Sequence, residues 1–165
     1  MSWSLFKTKC NVLTGPQHIS TELFAQTITS GYHQAVSLHF DSMSAGGKIV
    51  NNAPKLPIFY NQFLAQCKAN LAQHNEIHIL NQMGPMILNY WAGIIIQGPT
   101  GTSSVLNPGT WTGIPVVQNF DFQIILNAMI TCFRTHIMTL QGQYVSSVLP
   151  GVTSSWAGPM LQSLP

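Results

Sequence analysis

Charge is what this sequence has least of. Only 6% of its 165 residues are Asp, Glu, Lys or Arg, against roughly a quarter in an ordinary globular chain. The surface of a free, soluble monomer is typically about 25–35% charged. Here the surface must be built from Ser, Thr, Asn, Gln and His, or much of it must be covered by lipid or other protein. The six bases are scattered as Lys7, Lys9, Lys48, Lys55, Lys68 and Arg134. No basic stripe forms, so the electrostatic footprint of a nucleic-acid binder is missing. With 45% apolar residues and a net charge of +2, the composition is not that of a disordered chain.

Other absences narrow the field. The three cysteines, Cys10, Cys67 and Cys132, form no CxxC pair. Neither a zinc knuckle nor a disulfide framework is indicated, and idle buried thiols in a reducing compartment are expected. No secretory h-region is visible near the start. The longest nearly apolar run, Met83 to Ile96, is interrupted by Asn89 and falls short of the ~20 residues that a membrane-spanning helix needs. The P-loop pattern fails at two of its fixed positions around Gly47-Lys48, where Ser42 and Ile49 stand. No nucleophile elbow and no dinucleotide-binding turn exists.

Acid–base chemistry has little to draw on. The only carboxylates are Glu22, Asp41, Glu76 and Asp121. All lie near predicted helix ends, where capping or dipole pairing accounts for at least Glu22, Glu76 and Asp121. His74 and His78 are four apart in "HNEIH", a metal-ligand spacing on a helix. The Glu is misplaced for HExxH and no third ligand stands nearby, so two surface residues at a helix start are expected. His136 reads as a hydrogen-bonded core histidine. Arg134 reads equally as a snorkelling residue at the edge of an apolar face and as an interface or core partner. No catalytic residue, metal or cofactor is assigned, and the chain is expected to be non-enzymatic.

What is present is helical periodicity. Phe24, Ile28, Tyr32, Ala35, Val36 and Met43 recur at three and four, with Ser20 or Thr21 as N-cap. The pattern predicts a mainly α fold of about four helices, over 20–44, 57–73, 76–96 and 121–148. Pro57 is placed at the start of the second, and Gly84-Pro85 is expected to kink the third. "AGIII" at its end also fits a short strand. Residues 1–150 would form one helical domain and 151–165 an extended C-terminal strap.

Between the last two helices lies "GPTGTSSVLNPGTWTGIPVV", Gly98 to Val117, with three prolines, four glycines, one tryptophan and no charge. It is longer than ordinary connections, with room for a short β-hairpin at 98–118. The tail "GVTSSWAGPMLQSLP" repeats its character. Aromatic anchors among small uncharged residues are the composition of interface cores. Trp111, Pro108, Ile114, Val116, Trp156, Pro159 and Met160 are therefore the expected contact residues.

The order "NYWAGIIIQGPTGT", "LNPGTWTGIPV", a long helix and then "YVSSVLPGVTSSWAG" resembles small virion structural proteins of tailed bacteriophages. The resemblance is one of architecture and composition over most of the chain. It implies a virion-located homo-oligomer that also contacts other virion proteins, in a neck, tail, baseplate or minor capsid position. Two alternatives stand beside it. One is a small membrane-active, holin-like protein, against which Arg134, His136 and Pro85 count. The other is a metal-binding helical module using His74, Glu76 and His78.

Overall fold

The structure is a computed structural model that describes residues 3–15, 19–43, 48–70, 76–113 and 122–157, with the side chains of 38–43, 76 and 77 outside that description. It holds α1 (Trp3–Cys10), a 3-10 turn (Asn11–Thr14), α2 (Thr21–Met43), β1 (Lys48–Ile49), α3 (Lys55–Asn70), α4 (Glu76–Asn81), α5 (Met83–Trp91), β2 (Ile95–Gln97), β3 (Gly101–Asn107), α6 (Phe122–Met138), β4 (Gln141–Ser146) and β5 (Thr153–Ala157). The strands make one antiparallel sheet in the order β1-β2-β3-β4-β5. The expectation of a mainly α, four-helix fold is therefore overturned: this is a helical layer joined to a five-stranded sheet.

The second element follows its sequence signals closely. Ser20 caps α2 through its Oγ, which accepts from Leu23 N at 3.1 Å. Glu22 lies in the first turn, where the helix dipole favours an anion. Ala25, Ile28, Tyr32, Ala35 and Val36 are buried along one stripe. That stripe packs on α1 and α3. Gly31 lets α1 approach, since a Cβ there would stand 3.0 Å from the Phe6 ring.

The predicted third helix is three elements. A turn at Gln82 separates α4 from α5. Pro85 then occupies the first turn of α5, where its missing N–H leaves no bond unmade. It starts a helix rather than kinking one. Ala92 turns extended, Gly93 takes a left-handed φ of +69°, and the chain enters β2. The Lys55 ammonium closes this helix end, donating to Asn89 O at 3.1 Å and Ala92 O at 2.7 Å. A cation at a helix C-terminus also matches the dipole.

The predicted fourth helix, 121–148, stops at Met138. Thr139 N and Thr139 Oγ1 both donate to His136 O, at 2.9 and 2.6 Å, and Leu140 N donates to Ile137 O at 3.2 Å. These tight bonds close the last turn. The chain then runs extended as β4 between β3 and β5, with Gly142 opposite both Val105 and Trp156. The core-facing residues of β4 are Gly142, Tyr144 and Ser146, with Gln141, Gln143 and Val145 exposed.

The hairpin expected within 98–118 forms earlier, over Ile95–Asn107, with Gln97 paired to Thr102 and Gly98 N bonded to Gly101 O at 2.9 Å. The segment expected to be an extended strap at 151–165 contributes the edge strand β5. A continuous core runs from Trp3 and Phe6 through Tyr32, Phe59, Tyr90, Trp91 and Phe133 to Trp156. Its centre is aromatic: Phe133 lies 4.7 Å from Tyr32 and 5.5 Å from both Trp3 and Phe6, measured between ring centroids.

Candidate functional site: the strap and the β4–β5 hairpin

After β3 the chain crosses α6 as a strap over 108–113. His136 is 1% exposed, and its Nε2 lies 2.7 Å from Pro108 O. A carbonyl only accepts, so Nε2 carries the hydrogen and Nδ1 is bare. Nδ1 is buried without a hydrogen-bond partner. Burial drives the His136 pKa down to about 4, partly offset by the bond to Pro108. Thr110 N donates to Thr139 Oγ1 at 2.8 Å, and the Cys132 thiol donates to Gly113 O at 3.0 Å. Gly109 takes a φ of +83° beside Thr139, a turn that a side chain would strain.

Trp111 is half-buried and fills a notch left by Gly84. A Cβ on Gly84 would stand 2.7 Å from Trp111 Cδ1 and 3.1 Å from its Cβ. The indole lies 5.9 Å from the Phe133 ring and 6.3 Å from that of His136. We therefore expect Gly84→Ala to destabilise the fold by about 1–3 kcal/mol, as overpacking does. The intrinsic helix preference of Ala over Gly, about 0.5–1 kcal/mol, is too small to reverse this. Chemical denaturation measures the loss. A red shift of tryptophan emission that vanishes in a Trp111→Phe background assigns it to the displaced indole.

Trp156 is 4% exposed and lies across Gly142, where a Cβ would overlap the indole and the Ser104 carbonyl oxygen. Both expected aromatic contact residues thus pack against glycines of their own chain, and Pro108 is half-buried with its carbonyl engaged. Ile114, Val116, Pro159 and Met160 lie outside the described residues, as does His74. His78 is exposed on α4. Among the described residues, no group of three or more His, Cys, Asp or Glu side chains is placed to hold a metal.

A second polar cluster binds α2, α5 and the connector before α3. Tyr90 OH lies 2.7 Å from His33 Nδ1 and accepts from Asn52 Nδ2 at 3.3 Å, which also donates to Ser37 Oγ at 2.9 Å. Trp91 Nε1 donates to Tyr32 OH at 2.6 Å. Burial lowers the His33 pKa and raises that of Tyr90. The partners are hydroxyls and an amide rather than carboxylates, so the cluster supplies no charged acid–base pair. It locks two helices to a loop. The cysteines are all buried, and desolvation pushes the Cys10 and Cys67 thiols up to about 12, which keeps them protonated and unreactive.

The residues that sequence reading missed are at the apex of the β4–β5 hairpin. Val145, Val148, Leu149 and Val152 are 47–64% exposed, and Leu106 on β3 is 68% exposed. Four aliphatics grouped on one apex are an apolar projection rather than scattered surface residues. The signal was present in "YVSSVLPGV", but reading it as the end of a helix assigned no outward face to it.

No family model, curated protein or solved structure matches this chain. Among the described residues, no helix is long and apolar enough to cross a membrane.

Proposed function

We propose that this chain is a non-enzymatic structural subunit of a bacteriophage virion. It assembles with copies of itself and with other virion proteins, in a neck, tail or baseplate position. The observation that carries the reading is the pairing of a 6% charged chain with an ordered, exposed, uncharged aliphatic apex at Val145, Val148, Leu149 and Val152. Such a surface is poorly solvated in a free monomer and suits burial against protein. The strap over 108–113 supports the same reading in a different way. Its backbone over 108–113 is fastened to the side chains of His136, Thr139 and Cys132, so this part of the uncharged segment is held in place rather than left as a free loop.

Mass spectrometry of purified particles tests the virion assignment: the chain is expected in the particle at a fixed copy number relative to the major capsid protein. Its absence from particles would overturn that assignment. Sedimentation of the purified protein tests the assembly part. Concentration-dependent oligomers are expected, and a monodisperse monomer at high concentration would sink it.

A further inference from the structure

We draw no further inference here: the strongest candidate, the groove between α3 and α5 walled by Ile58, Phe59, Met86 and Tyr90, has its Lys55 ammonium already engaged by the Asn89 and Ala92 carbonyls, and nothing in the structure shows what would cover its apolar face.

Discussion

Phe133→Ala is expected to cost about 4 kcal/mol of folding stability, near the upper part of the range for truncating a buried aromatic. Phe133 is fully buried and joins four elements through one ring. It stacks on Trp3 at 5.5 Å, meets Phe6 edge-on at 5.5 Å, tilts against Tyr32 at 4.7 Å and supports Trp111 of the strap at 5.9 Å. Each ring pair contributes roughly 0.5–1.5 kcal/mol beyond area burial. Rigid rings on several sides also leave the site poorly able to collapse. The melting temperature should fall by on the order of 10 °C, given about 2–4 °C per kcal/mol for a chain of this size. Chemical denaturation and calorimetry read both quantities. Ile58→Ala, at a position 53% exposed, serves as the comparison and should stay within about 0.5 kcal/mol of wild type. A Phe133→Ala loss as small as that would mean that α1 and the strap are held by something other than this ring.

Phe133 also illustrates what periodicity makes legible. It lies on an apolar face read correctly as helical, because residues at three- and four-residue spacing bury one stripe and large side chains mark it. The same holds for α2, whose predicted bounds of 20–44 nearly coincide with Thr21–Met43. The sheet was hidden for a specific reason. A half-buried strand announces itself by large apolar residues at every second position. The core-facing positions of β3 are Gly101, Ser103 and Val105, and those of β4 are Gly142, Tyr144 and Ser146. The volume above the glycines is filled from neighbouring positions instead. Trp156 covers Gly142, and Tyr144 lies against Gly101. Cross-strand filling of this kind leaves no two-residue alternation to detect. Leu140 and Tyr144, four apart, then passed for the continuation of α6.

The expected contact residues were blurred by a related ambiguity. An indole among small uncharged residues has the composition of an interface core, and it also has the composition of a side chain seated over glycine in its own fold. Sequence spacing does not separate the two, because Gly84 lies far from Trp111 in the chain and Gly142 is remote from Trp156. Only tertiary pairing distinguishes them, and it places both indoles against their own chain. The exposed aliphatics at 145–152 became visible only once that segment was seen as a hairpin with an outward apex. The lesson for charge-poor chains is that low charge marks which segments are sheltered, without marking what shelters them.

Acidification is expected to destabilise the protein through His136. The unfolded chain takes up a proton at this residue near pH 6.5, whereas burial holds the folded pKa to about 4. Above about 6.5 both states are neutral at this position and the residue adds no pH dependence. Between about 6.5 and 4 the unfolded state binds more protons, so stability falls as the pH falls through that window. At about 1.4 kcal/mol per pH unit, the full loss is about 3 kcal/mol. The structure supplies the reason in atomic terms. Nε2 already donates to Pro108 O, and a proton on Nδ1 would be a buried donor with no acceptor. The folded chain meets that proton by letting the strap go. Loss of the Pro108, Thr110 and Trp111 contacts should therefore accompany acidification and appear as faster hydrogen exchange at Thr110 N before global unfolding. His136→Gln separates this effect from that of His33, whose pKa burial also lowers. The amide can still donate to Pro108 O but does not titrate. The variant should be less stable than wild type at pH 7 by about 1–2 kcal/mol, yet lose distinctly less on going from pH 6.5 to 4.5. Parallel stability profiles for the two proteins across that window would show that His136 does not hold the strap through its neutral form.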